Sequence, residues 1–374
     1  MGTVPPKNEN KFDIVCFPIT EWNFRYQRTQ HILSRFAQQG HRVFHLPVNL
    51  QPQDGDFTIT KITNNIFHLD PNCPREFNIY EDVWNKKTIR SITESIVSAV
   101  NHFDIDGICF VAFPSWAPLA LRLKDLYGWK VVYDCLDEHS GFSNVNQKRI
   151  VEEEHDLLRK SDLSIATSLH IHRKIGRIRG SDLLFLPNAC EFSHFNYLPQ
   201  NNLLNHLRKP IIGYYGAIAE WFDSDLVEFL AQERPHWSFV FIGHTFGSDI
   251  CKLKKYGNVH FLGEKPYADL PKYLYHFDVC VIPFRITPLI KATHPVKFYE
   301  YVASGKPVVT TRIPELLQFA TLCYIAEGKK DFLLKLEAAL KEEDEELRRK
   351  RIEFARRNTW DARFCMLYSH LQKF

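Results

Sequence analysis

The residues best suited to chemistry lie in one short stretch, K-A-T-H-P-V-K-F-Y-E-Y-V-A-S-G-K-P-V-V-T-T at 291–311. Pro295 suits the first turn of a helix, with Thr293 or His294 as its cap, and Gly305 suits its end. Helical spacing puts Val296, Tyr299 and Ala303 on one face, the core face, and Lys297, Glu300 and Ser304 on another. A cation in the first turn opposes the helix dipole, whereas an anion held there is favoured by the dipole and by Lys297 together. A phosphate docked on the free N–H groups resolves the conflict. Glu300, one turn on, would then accept hydrogen bonds from a ribose diol. The i, i+3 spacing of Lys297 and Glu300 equally suits a surface ion pair worth only about a few tenths of a kcal/mol.

A second glycine-bearing turn, Gly213-Tyr-Tyr-Gly216, follows an apolar run. Glycines there permit close backbone approach to a phosphate, or simply a tight strand-to-helix turn. Two D-x-D triplets invite a metal reading. Asp104-Ile105-Asp106 precedes an apolar strand, at the wrong edge for a ligand, and Asp223-Ser224-Asp225 reads as a helix amino terminus, where acids favour the dipole. No metal site is expected, and no cofactor. Neither G-x-x-x-x-G-K-[ST] nor G-x-G-x-x-G occurs, which argues against a Walker NTPase or a dinucleotide enzyme.

These residues must be positioned by a parallel sheet. Apolar strands are expected at 13–17, 42–46, 108–112, 131–134, 163–166 and 183–186, alternating with helices such as 25–39, 116–127 and 147–160. Continuous apolar strands separated by helices mean a sheet covered on both faces, with ligands beyond the carboxyl ends of the strands. A polar Pro/Asn-rich stretch at 197–209 reads as a linker. The alternation then restarts at 211–215, 239–243, 259–262, 279–283 and 307–311. The expected domains are therefore 1–196, joined by a C-terminal helix at 358–374, and 210–357. Residues 341–357, an acidic block followed by a basic one, suit a solvated helix with internal ion pairs.

Composition bounds the partners. The 374 residues are 45% hydrophobic and 14% aromatic, enough for real cores. A net charge of +3 is too balanced for a duplex-binding protein, so no nucleic acid is expected. The nine cysteines are scattered, with no C-x-x-C pair, which favours a reducing cytoplasm over disulfides or structural zinc. The amino-terminal residues lack the apolar core of a signal peptide, Met1-Gly2 lacks the Ser or Thr of a myristoylation start, and no run is long enough to cross a bilayer.

The stretch P-V-K-F-Y-E-Y-V-A-S-G-K-P-V-V resembles the donor-site motif of GT-B glycosyltransferases, particularly family 4 and its neighbours of the bacterial, including cyanobacterial, exopolysaccharide and envelope polysaccharide type. Further blocks agree in order and spacing: QRTQHILSRFAQQGHRVFHL, YDCLDE, SDLSIATS, LPNACEFSHF, IIGYYGAI and VHFLGEKPYADLPKYLYHFDVCVIPF. Together they cover most of 12–312. The resemblance implies an α/β fold of two Rossmann-like domains facing across a cleft, the C-terminal helix packing back on the first. It also implies a nucleotide-sugar donor in the second domain and an acceptor in the first. Glu300 matches the second glutamate of the family's E-x7-E, which binds the donor ribose. The first glutamate falls at 292, where this chain has Ala292, so that contact to the transferred sugar is missing. Lys297 matches a pyrophosphate ligand, as in relatives with P-x-K. The Thr293–His294 turn and Gly216 would offer backbone groups, Leu262 and Gly263 would hold the nucleobase, and Arg285, after its strand, would reach the diphosphate. Asn188 in LPNACEF resembles the P-N-G-V-D turn between the halves.

On the acceptor side, residues 18–28 follow the first strand. Arg25 and Arg28, cations at a helix start, would bind an anionic or lipid-diphosphate acceptor, or simply end a solvated helix; Trp22 and Tyr26 would stack on a sugar ring or fill the core. In V-Y-D-C-L-D-E-H at 132–139, Asp137 and then Glu138 are the choices for the base that takes the acceptor's hydroxyl proton. Asp134 reads as structural, and capping of the next turn is the alternative for all three. The implied activity is transfer of a hexose, glucose by family frequency, from a UDP-sugar to a glycan or lipid-linked acceptor, at the inner face of the cytoplasmic membrane. Arg173, Lys174, Arg177 and Arg179 could touch anionic lipid there, or be plain solvated surface. A GT-B protein that only binds a glycan or partner, for which Ala292 speaks, and a UDP-sugar epimerase are the alternatives.

Overall fold

The computed structural model describes residues 4–142, 145–197 and 203–373. Two compact units result, one of residues up to Pro187 with those from Phe364, the other Asn188–Arg363. The first contains an eight-stranded sheet in the order Leu183–Phe185, Leu163–Ala166, Lys130–Cys135, Gly107–Val111, Asp13–Phe17, Val43–His45, Ile66–Pro71, Phe57–Thr63. All neighbours are parallel except the last pair. The inner strands are largely apolar and, apart from half-buried Gly107 and Lys130 at their starts, buried, as a doubly covered sheet requires. Phe57–Thr63 instead alternates half-buried and exposed residues at the edge and lies outside the strands expected above.

Two polar residues in this apolar sheet hold each other. Asp13 and Arg42 are both buried and joined at 2.9 and 2.7 Å, and Arg42 also donates to the carbonyls of Pro5, Phe103 and Asp104. The helix after Asp13–Phe17 begins at Arg28, three residues later than the pattern suggests. The intervening backbone is tied down by side chains from elsewhere: Trp116 Nε1 donates to the Pro18 carbonyl at 2.8 Å, Tyr80 to that of Ile19, and Gln30 to that of Trp22 at 3.1 Å. At the far end of the chain, the helix Trp360–Leu371 contributes Phe364 to this unit, 4.9 Å ring to ring from Phe36.

The second unit is built on six parallel strands in the order Val259–Phe261, Ser238–Ile242, Ile211–Tyr215, Val279–Ile282, Val308–Thr311, Tyr324–Ala326. Its boundaries differ from the expected 210–357 because the segment after Pro187 packs on this unit. Asn188 Nδ2 donates to the His294 carbonyl at 2.7 Å, Asn196 Nδ2 to that of Ala303 at 2.7 Å, and Cys190 bridges to Thr359. The expected linker lies partly outside the described residues, at 198–202; Leu204, which follows, is buried in this core. The helix Glu345–Arg357 carries surface pairs such as Glu346–Arg349, as its charge blocks suggest, but it is not solvated all round. Arg351 is fully buried, bonded to Glu342 and to the Leu322 carbonyl at 2.8 Å.

No helix among the described residues is long and apolar enough to cross a membrane, and all nine cysteines are free. Replacing Arg42 with Ala strands the Asp13 carboxylate, so Arg42→Ala is expected to lose about 3–5 kcal/mol in denaturant unfolding. A loss under 1 kcal/mol, the usual worth of a surface pair, would contradict the role given to this pair.

Candidate active site

In the second unit the strands end in three stacked glycine turns. Gly216 N–H donates to the Ile242 carbonyl and Gly243 N–H to that of Gly263, both at 2.9 Å. A Cβ on Gly243 would stand 1.9 Å from the Gly216 oxygen, and Gly216 itself sits at φ +132°. The helix Val296–Ala303 opens beside this stack. Its cap is Pro295, which offers no side-chain hydrogen bond, and its first turn holds no acid. Lys297 lies in that turn with its ammonium over the rings of Phe284 and Tyr214, at 5.0 and 5.5 Å, and a Cβ on Gly216 would come within 2.8 Å of its Cε. Lys297 therefore lies against glycine backbone at the carboxyl edge of the sheet, where an anion would be held by the ammonium and by helix N–H groups together.

Glu300 is not on the surface, so the simple surface pair with Lys297 does not describe it. Burial raises its pKa to about 7; Tyr215 and Lys297 pull against that, and the charge of Glu191 adds to it. The Tyr215 hydroxyl is buried and, among the described residues, makes no hydrogen bond of good geometry. Tyr267 completes the group: its hydroxyl donates to Glu191 Oε2 at 3.4 Å, and burial, Glu300 and Glu191 all raise its pKa. Glu191, Tyr215 and Tyr267 are the residues that sequence reasoning missed. Glu191 closes the LPNACE segment, and its acid at the turn before Phe192–Phe195 was the available signal.

The other expected residues of this unit are placed less centrally. Thr293 Oγ1 donates to the Leu289 carbonyl, and its N–H to that of Ile290, closing the helix Pro288–Ala292. His294 is buried, stacked 5.3 Å from Tyr299. Ala292 is fully buried. Leu262 and Gly263 continue the glycine stack, Leu262 N–H bonding to the Phe241 carbonyl at 3.0 Å. Arg285 shares its charge with Asp223 and Asp225, at 3.8 and 3.4 Å. Both acids of that triplet are thus engaged; Asp223 also caps the helix Ser224–Glu233, as expected.

In the first unit, Asp134 and Arg28 form a buried bidentate pair at 2.9–3.2 Å. Arg28 is therefore committed to the sheet edge and not presented to an outside anion. Trp22 is buried, edge-on to His45 at 5.4 Å, which makes it core. Arg25 is half-buried, its guanidinium 4.5 Å from the Phe24 ring. Glu138 accepts from Lys174 at 2.7 Å and from Ser140 at 2.7 Å, and Lys174 also donates to buried Glu154 at 2.9 Å. Burial works against the Lys174 charge, but Glu154 and Glu138 outweigh it and raise its pKa. Asp137 stands half-buried on the same loop. Of the four cations suggested for a lipid surface, Lys174 is in this network and Arg179 bonds to the carbonyls that end the helix Gln147–Lys160, leaving Arg173 and Arg177 exposed.

Comparison with known proteins gives this arrangement a setting. Residues 209–342 match the family described as glycosyl transferases group 1. The sucrose-phosphate synthase of Thermosynechococcus elongatus is similar in structure, with TM-score 0.73, 13% identity, and 97% of this chain and 98% of that chain covered. So is Anabaena HepE in complex with UDP and glucose, with TM-score 0.71, 13% identity, and 97% and 99% covered. The chain has the GT-B fold, and its second unit carries a glycosyl transferases group 1 domain. The chain is also 26% identical over 322 residues to TuaH of Bacillus subtilis (strain 168), described as a teichuronic acid biosynthesis glycosyltransferase. That match covers 79% of this chain and 80% of TuaH.

The glycine stack makes an ordered prediction. Gly216→Ala imposes a strained φ at about 1–3 kcal/mol while the flexible Lys297 end moves aside. Gly243→Ala meets immovable backbone and is expected to be the more destabilising of the two. Calorimetric unfolding of both variants checks this, and the reverse order would contradict the packing described.

Proposed function

We propose that this glycosyltransferase moves a hexose, glucose by our reading, from a UDP-sugar to a glycan or lipid-linked acceptor in cell-envelope polysaccharide synthesis, without a metal ion. The observation that carries the reading is the Lys297 ammonium lying against Gly216 in the first turn of Val296–Ala303. The UDP and UDP-glucose complexes of Anabaena HepE support the donor, and the description of TuaH supports the envelope setting.

In the proposed reaction the bond from the anomeric carbon to the β-phosphate oxygen breaks and one to the acceptor oxygen forms. The hydroxyl proton passes to Asp137 or to the leaving phosphate, and UDP departs. Lys297 and the first-turn N–H groups meet the charge that builds on the diphosphate, while Glu300 holds the ribose. Asp137 is the first choice of base and Glu138, which accepts from Lys174, the second. Arg285, its charge shared with Asp223 and Asp225, contributes less. A lipid-linked acceptor would bring the enzyme to the inner face of the cytoplasmic membrane.

Calorimetric titration with UDP, with GDP as control, tests the donor site. UDP is expected to bind in the micromolar range, and Glu300→Ala or Lys297→Ala to weaken it at least about tenfold, about 1.4 kcal/mol. No binding of either nucleotide by the unaltered chain overturns the reading.

The raised pKa of Glu300 adds a pH dependence. Diol hydroxyls donate to the carboxylate, so binding favours the ionised form, and UDP affinity is expected to rise between pH 6 and pH 8 as Glu300 ionises around 7. Without ligand the sign is opposite: the stability that neutral Glu300 supplies at low pH is withdrawn as pH climbs through about 7. Glu300→Gln should flatten the first trend to that of the nucleotide phosphate alone. An unchanged pH slope in that variant would remove Glu300 from the titration.

A further inference from the structure

The segment that joins Glu191 to this site is clamped in place at both ends. Asn188 holds the carbonyl of His294, just before the helix Val296–Ala303, and Asn196 holds that of Ala303 at its end. Glu191 is thereby laid along the same helix that carries Glu300, half-buried and bonded to the Tyr267 hydroxyl. Tyr267 itself leaves the loop that begins at Leu262 and Gly263. Charge from both carboxylates reaches Tyr267, and the buried Tyr215 hydroxyl, beside Glu300, is left without a well-formed hydrogen bond among the described residues.

Two carboxylates sharing one poorly hydrated place repel each other, and the hydroxyls of Tyr215 and Tyr267 lie beside them as neutral donors. A vicinal diol offers two more O–H donors at the spacing of adjacent carbons, one for each acid. We infer that Glu191, oriented by Tyr267, is the second carboxylate of a two-acid clamp on the ribose diol, with Glu300 as the first, and that it makes the enzyme select ribonucleotides over 2′-deoxyribonucleotides. This rests on the nucleoside-diphosphate reading of the site. Glu191 binds and selects; it takes no part in bond breaking.

The readout is a ratio, because removing a negative charge near a diphosphate also changes affinity for every nucleotide alike. UDP and 2′-deoxy-UDP are titrated calorimetrically into the unaltered chain, Glu191→Gln and Glu300→Gln. The unaltered chain is expected to prefer UDP by about tenfold or more, the worth of a hydrogen bond to a charged group. In Glu191→Gln the preference should fall to about threefold or less. If Glu191→Gln does not fold, Tyr267→Phe, which removes only the orienting hydroxyl, is read the same way.

A preference unchanged by Glu191→Gln but reduced by Glu300→Gln overturns the inference and leaves the donor site standing. Loss of UDP-glucose affinity in Glu191→Gln with the UDP preference intact would mean that the acid meets the hexose diol, and overturns the ribose assignment. Absence of UDP binding by the unaltered chain overturns the donor reading and this inference with it.

Discussion

The carbonyl oxygen of Gly216 occupies the place where a side chain on residue 243 would begin. That single close approach lets the turns after Ile211–Tyr215, Ser238–Ile242 and Val259–Phe261 stack backbone on backbone, each N–H finding the next carbonyl. Because the stack has no side chains of its own at these points, the end of Lys297 can lie directly on it. A β-carbon at Gly216 would meet that ammonium arm, and one at Gly243 would push the first two turns apart. The placement of the cation, and so of any anion it holds, depends on two missing methyl groups.

Charge in this protein is otherwise spent mainly on structure. Arg42 with Asp13 and Arg28 with Asp134 satisfy acids buried at the two ends of the first sheet's strands. Arg351 does the same for Glu342 under the second sheet, and Lys174 for Glu138 and Glu154. Each pair is bidentate or branched, which is the geometry that offsets desolvation. Glu300 differs from these paired acids. Its carboxyl is buried with a lysine, two tyrosines and a second acid around it, and its proton affinity is raised, whereas that of Glu154, held by Lys174 and Tyr133, is lowered. A buried acid with a raised pKa beside a lysine is the kind of group that ligand sites collect.

Much of this was open to reading from the chain alone. Apolar runs of four to six residues between helix-length stretches determined a parallel α/β architecture, because only a sheet covered on both faces tolerates such strands. The P-V-K-F-Y-E motif determined a helix with Lys297 in its first turn and Glu300 one turn on, because 3.6-residue periodicity and Pro/Gly boundaries are local properties. Tertiary structure decided how the charges are paired. By type and position Arg28 suited an acceptor anion and Glu138 stood second to Asp137 as a base, and nothing local to them shows that Asp134, 106 residues from Arg28, and Lys174 are their partners. The same holds for Glu191 and Tyr267, 76 residues apart and joined only when the chain folds. Periodicity reports what a residue's near neighbours demand, whereas burial and pairing are set by contacts across the sheet.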